Sequence, residues 1–239
     1  MALPKIQAPV FTYKLPVLNR KIKYRPFTVK EEKILLMASE SGAPADVYTA
    51  FQQVVNNCVL DEDIDALKLH IFDMEVLFLL LRIASVGAET SFGVKDNDSG
   101  KTIQVDLDLQ QVVDASVRDA VIPSKQIAIN EEVGLVMKDI TMDLFMDVSD
   151  ADNMSADDAF AVIKRLIDKV YDKEEVYDLS DSSDEEVNEF LDSFQTSDME
   201  KMYEYLYAIP RVRATIKYKV ENEEREIKLE GVADFFQSA

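Results

Sequence analysis

The sequence predicts an α+β fold, mainly helical, in two lobes that each pass from short helices into a β-hairpin or small antiparallel sheet. Three observations lead there. Apolar residues recur at helical spacing behind Ser/Thr-x-x-Glu/Asp starts. The period changes to two near residues 92–109 and again near 216–229. Four prolines interrupt the first 27 residues. With 239 residues, 47% hydrophobic and 30% charged, the chain holds enough apolar material for one large core or two small ones.

Residues 1–27 read as an extended basic arm, because Pro4, Pro9, Pro16 and Pro26 each remove an amide donor and fix φ. Alternation of Phe11, Tyr13 and Leu15 suits part of this arm to a sheet edge, on this molecule or another. Residues 28–146 form the first lobe. Thr28 with Glu31 is a capping box, and Ile34, Leu35 and Ala38 carry one helical face as far as Ser41-Gly42. A second helix fits Asp46 to Cys58, with Val47, Phe51, Val54, Val55 and Cys58 on its apolar side. Asp73 is placed to cap a third, running to about Ser85. Its run Val76 to Leu81 and Ile83 leave almost no polar face, so it is expected at the lobe's buried centre. Beyond Gly87, Phe92 and Val94 precede a turn at Asp96 to Gly100, and Ile103, Val105, Leu107 and Leu109 alternate with polar residues, which describes a hairpin. A strand over residues 126–130 and a β or turn segment near 134–140 complete a small sheet.

Residues 147–239 form the second lobe, opening with an acidic, polar linker over 147–158. Ser155 with Asp158 caps a helix bearing Phe160, Ile163, Leu166, Ile167 and Val170. Ser183 with Glu186 caps another bearing Val187, Phe190, Leu191 and Phe194, and Ser197 with Glu200 opens a third that Pro210 ends. Ile216, Tyr218 and Val220 then face Ile227 and Leu229 across Glu221 to Glu224 as a second hairpin. Aligning Val94 with Val220 and Val105 with Ile227 gives a weak duplication, of a kind that common patterns also produce by accident.

The charge balance, 46 acids against 26 bases for a net −20, makes nucleic acid and anionic membrane surfaces poor partners. It is also uneven. The first thirty residues hold seven bases and no acid, whereas residues 139–200 hold twenty acids and four bases, so a cationic arm joins an anionic body. One cysteine, Cys58, permits no intrachain disulfide or zinc ribbon and suits a reducing compartment. The longest apolar run falls far short of the roughly 20 residues that span a bilayer, and no signal-peptide core follows the start, so the chain is expected in a cytoplasm.

No catalytic, cofactor-binding or metal-binding residue is assigned. His70 is the only histidine, and its setting between Leu69 and Ile71-Phe72 is that of a packed structural residue. Cys58 lies on an apolar helix face, where a thiol is inert. The acidic turns at Asp96, Asp98 and Gly100 and at Asp147, Asp150, Asp152 and Asn153 both fail the calcium-loop pattern. No phosphate loop, nucleophile elbow or HExxH motif is present. The candidate partner-binding residues are Phe11, Tyr13, Lys14, Arg20, Lys21, Lys23, Tyr24 and Arg25. They either fold back on the acidic body or dock on another protein, with the aromatic residues as anchors and the charges as steering groups. Removing residues 1–21 leaves a folded body in the second case and unfolds it in the first.

Four blocks carry a family resemblance. The segment Ile22 to Ala38, IKYRPFTVKEEKILLMA, resembles the opening of the baseplate hub assembly proteins of contractile-tailed phages of the T-even type. Phe78 to Gly87, Ile209 to Arg213 and Leu229 to Phe236 are similar to that family's later landmarks in order and spacing. The resemblance implies a factor needed to build the central hub of the tail baseplate. Such a factor is a chaperone or scaffold without enzymatic role, binding other tail or baseplate hub proteins in the host cytoplasm during virion assembly, with the virion tail baseplate as its other location. Some members carry paired cysteines at the hairpins; Val94 to Lys101 and Lys219 to Arg225 have none here, so an ordinary turn replaces any zinc knuckle. A permanent structural subunit of the hub is the alternative reading. A hub-associated hydrolase is another, and it requires a cleft with two facing carboxylates, one desolvated enough to stay protonated.

Overall fold

Residues 6–41, 43–95, 100, 102–149, 163–220 and 223–237 are described by the structure, a computed structural model. The fold is α+β, with helices and several small antiparallel sheets. Contacts group the chain into residues 1–120 with 211–239, and residues 121–210. This division differs from the expected boundary at residue 147. The C-terminal hairpin belongs to the first unit, and the second is an internal segment.

The first unit is built on α3 (Ile71–Val86), whose residues from Ile71 to Leu81 are all buried. The unbroken apolar run explains this, since a helix without a polar face is stable only when surrounded. Around it pack α2 (Pro44–Cys58), α4 (Leu109–Asp119) and α8 (Val232–Gln237), and α1 (Val29–Ser41) packs on α2. Phe51 and Phe78 join α2 to α3 with ring centroids 4.0 Å apart. Leu80, two residues further along α3, is 5% exposed. Replacing it with alanine is expected to cost about 2 to 5 kcal/mol in urea unfolding; a loss below about half a kilocalorie would place α3 outside the core.

Two carboxylates interrupt that apolar helix, and both are fully buried. Asp73 is not the helix cap that the sequence suggests. His70 takes that position, its Nδ1 accepting from the Phe72 amide. Asp73 instead accepts from the amides of Val17 and Leu18 at 2.9 and 2.7 Å, and so fastens the N-terminal turn to α3. Glu75, two residues on and so on a different face of α3, accepts from the Val212 and Val232 amides and from Arg211 Nε at 2.8 Å, fastening the C-terminal segment to the same helix.

The N-terminal residues form an antiparallel hairpin, β1 (Phe11–Lys14) with β2 (Lys21–Tyr24), rather than an extended arm. Its prolines sit outside the strands, Pro9 before, Pro16 in the turn and Pro26 after, where no ladder donor is needed. The turn closes through Leu15 N to Arg20 O at 3.0 Å, and Leu15 and Ile22 are fully buried. Glu31 completes the start of α1, accepting from the Thr28 amide at 2.8 Å and pairing with Arg25 at 3.1 Å. Burial alone would raise the Glu31 pKa, but Arg25 and the Thr28 hydroxyl and amide outweigh it and hold the carboxyl at about 2 instead of 4.5. Its folded pKa is depressed, so its stabilisation is complete above pH 4.5 and is lost as pH falls towards 2. Urea midpoints measured across that window should fall more steeply for the natural chain than for Glu31→Gln.

The first long hairpin, β3 (Glu89–Lys95) with β4 (Thr102–Asp108), occurs where period two predicts it, and so does the last, β9 (Arg213–Val220) with β10 (Glu223–Glu230). Both lie in the first unit, with β4 and β9 adjacent. The alternation stops one residue earlier than expected. Asp108 caps α4 by accepting from the Gln110 and Gln111 amides, so Leu109 opens a helix that buries it with Val112 and Val113.

The second unit holds a four-stranded antiparallel sheet in the order β5 (Gln126–Ala128), β6 (Gly134–Met137), β7 (Ile167–Tyr171), β8 (Val176–Asp178). The helix expected to run through Val170 ends earlier. Residues 163–166 are helical, and Ile167 then enters β7, where pairing on both sides overrides the helical spacing. Gly134 stands opposite Tyr171, whose ring occupies the place of any Cβ there. Helix α5 (Met142–Ser149) covers the start of the expected linker. Ser183 and Glu186 make the predicted reciprocal cap on α6 (Asp184–Asp192). The box on α7 (Thr196–Ala208) lies two residues before the predicted Ser197–Glu200 pair, at Gln195 and Asp198. The turn residues Asp96 to Ser99, the segment with Asp150, Asp152, Asn153, Ser155, Asp158 and Phe160, and the turn residues Glu221 and Asn222 lie outside the described residues.

Candidate partner-binding surface

The eight residues singled out in the sequence all fall on or beside the β1–β2 hairpin, and the register sorts them by role. Phe11 pairs with Tyr24 and Tyr13 with Ile22, so these side chains share the inner face. Phe11 stacks on Tyr24 at 5.7 Å between centroids; Tyr24 is buried and Phe11 is 39% exposed. Lys14 lies opposite Lys21, and Thr12 opposite Lys23, on the outer face, where all four are exposed.

The two arginines are used within the chain. Arg20 Nη2 donates to Asp63 at 2.8 Å, and Arg25 binds Glu31 and the Asn57 carbonyl, the latter at 2.9 Å. The hairpin is fastened along β2 as well. The Leu60 amide donates to Lys23 O, the Lys23 amide to Asp61 Oδ2, and the Arg25 amide to Cys58 O. No ion pair joins Lys14, Lys21 or Lys23 to a described residue. Three lysines therefore stand on one rigid face of a chain with net charge −20, two of them directly opposite each other, an arrangement that costs stability.

Sequence reasoning did not separate these roles. The alternation Lys21-Ile22-Lys23-Tyr24 carries the signal, because period two puts both lysines on one face and Ile22 with Tyr24 on the other. It also missed the exposed apolar residues that lead into β1, Ile6 at 98% and Val10 at 58% exposure.

The remaining chemical candidates are structural. His70 caps α3, and burial pushes the Cys58 thiol up to about 11, so it carries no thiolate at neutral pH. Among the described residues no group of three or more His, Cys, Asp or Glu side chains is arranged to hold a metal ion, and no helix is long and apolar enough to cross a membrane. Asp172 and Glu186 do share a groove in the second unit. The Glu175 and Glu174 amides hold the first below the usual carboxylate range, and the Ser183 amide and hydroxyl do the same for the second. Neither carries the proton that an acid catalyst needs at neutral pH.

Fold and surface thus define an α+β protein with three exposed lysines on the outer face of its first hairpin. The chain belongs to the T4 bacteriophage base plate protein family, which matches it over residues 8–237. Comparison with curated proteins and with solved structures found no match. Membership makes this a phage baseplate protein and implies contacts with other baseplate proteins, and a place in the virion tail fits it.

Proposed function

We propose that the chain is an assembly factor for the hub of the baseplate, a chaperone or scaffold that acts in the host cytoplasm by binding hub or tail proteins and catalyses no reaction. The observation that carries this reading is the lysine face. Lys14, Lys21 and Lys23 are held in fixed register without an ion pair to any described residue, which leaves their charge for an acidic surface on another protein. The family match and the order of the sequence blocks support the baseplate setting. Nucleic acid and membranes are not proposed as partners, since the net charge of −20 repels both.

The test replaces all three lysines with glutamate. Exposed sites of this kind change stability by about half a kilocalorie or less each, so the variant should stay folded at an ordinary melting temperature. Capture of tail proteins from infected-cell extracts should fall and lose its salt dependence. Unchanged capture would remove the lysine face from the mechanism. The same extracts separate factor from subunit: presence there with absence from purified tails supports the factor, whereas fixed stoichiometry in tails makes the chain a permanent subunit.

A further inference from the structure

The second unit contains a groove of about 270 Å³. Val170 and Tyr177 reach it from β7 and β8, and Val187 and Phe190 from α6. Small-molecule pockets start at about 300 Å³, so this one suits a single aromatic or branched aliphatic side chain better than a cofactor. Asp172 and Glu186 line the same groove, and the segment 172–192 that forms much of it holds ten acids and one base. That base, Lys173, is already paired with Glu132 at 3.1 Å. Residues 121–210 as a whole carry 23 acids against 7 bases.

We infer that this groove receives one apolar side chain of a basic segment of another protein, with lysines or arginines beside that anchor lying over Asp172, Glu186 and the neighbouring acids. Charge selects the occupant. Both lining carboxylates accept hydrogen bonds from the chain itself, Asp172 from the Glu174 and Glu175 amides at 2.8 Å and Glu186 from the Ser183 amide at 2.8 Å, so they are fixed as anions. Lys164 pairs with Asp184 and Lys169 with Asp178, but among the described residues no base pairs with Asp172 or Glu186, so both remain open to a cation from another protein. A second copy of this chain is disfavoured, because two bodies of charge −20 repel each other. The apolar walls supply affinity and the acids supply steering and choice of partner, which is the usual division at an interface. This surface is distinct from the lysine face and takes a partner of opposite charge, so either can fail without the other.

Fluorescence anisotropy on the full chain tests this with three labelled peptides, GKKLFKKG, GEELFEEG and GKKSSKKG. The first should bind, and the other two should bind about tenfold more weakly or worse, one for lack of charge and one for lack of an anchor. Tyr177→Ser and Phe190→Ser should weaken the first peptide about tenfold, while the triple lysine variant should leave its binding unchanged. A benzophenone in place of the peptide's phenylalanine gives a reading on the unsubstituted chain, with adducts expected on Val170, Val187 or Phe190. Equal binding of GKKSSKKG, or adducts outside the groove, would show attraction by charge alone and overturn the inference. Concentration-dependent dimerisation abolished by Phe190→Ser would overturn it in favour of a second copy.

Discussion

Arg211→Ala is expected to destabilise the first unit by about 3 to 5 kcal/mol, a large share of the roughly 5 to 15 kcal/mol that holds a domain together. Glu75 is fully buried, and Arg211 is its only charged partner among the described residues. Burial alone would make the guanidinium easier to deprotonate, but Glu75 beside it outweighs that and keeps it cationic. Removing the cation leaves the Glu75 carboxylate in the core with the Val212 and Val232 amides as its remaining donors among the described residues. Gly231→Ala should damage the same pair from another direction. Gly231 has φ +77°, where alanine is strained, and its new Cβ would meet the Arg211 guanidinium. Glu75→Leu combined with Arg211→Leu should recover part of the single-variant loss, since an apolar pair needs no solvation. Recovery stays incomplete because two backbone amides lose their acceptor. Urea unfolding decides this: a loss below about 1 kcal/mol for Arg211→Ala would mean that water reaches Glu75.

These two buried acids also mark where sequence reasoning stopped. The α3 core was legible because Val76 to Leu81 leaves no polar face, and the long hairpins because period two is unambiguous between turn-forming residues. The Ser183–Glu186 cap was legible because both halves of it are local. Asp73 and Glu75 were not, since the residues they bind lie 55 to 157 positions away and a carboxylate beside an apolar run looks like a cap. The place of residues 211–239 in the first unit rests on contacts equally distant in sequence, with Glu75 and with α2, α3, α4 and β4, so it was hidden as well. In the second unit, Ile167 and Val170 fit a helix by spacing and a strand by side-chain type, and only their pairing with β6 and β8 decides. The candidate surface was half legible. Its residues were identifiable from charge and alternation, whereas the use of Arg20 and Arg25 within the chain required Asp63, Glu31 and Asn57 to be located in space.

Deleting residues 1–21 is expected to unfold the first unit or cost it about 5 kcal/mol or more, which makes truncation the wrong test of partner binding. Leu15 is fully buried, and losing a side chain in that setting costs about 2 to 5 kcal/mol by itself. The deletion also removes Val17 and Leu18, whose amides are the donors that Asp73 accepts from in the interior. Burial already pushes the Asp73 carboxyl above its ordinary range, against the lowering effect of those two amides, so without them it must take up a proton or drag water into the core. Two point variants separate the contributions. Leu15→Ala should show the packing loss, and Asp73→Ala the loss of the fastening while leaving the hairpin sequence intact, each measured by urea unfolding and circular dichroism. A truncated chain that melts with the natural one would show instead that the hairpin is a detachable arm. If it unfolds, loss of partner capture after truncation says nothing about the lysine face, and the exposed positions Lys14, Lys21 and Lys23 remain the place to change charge without touching the core.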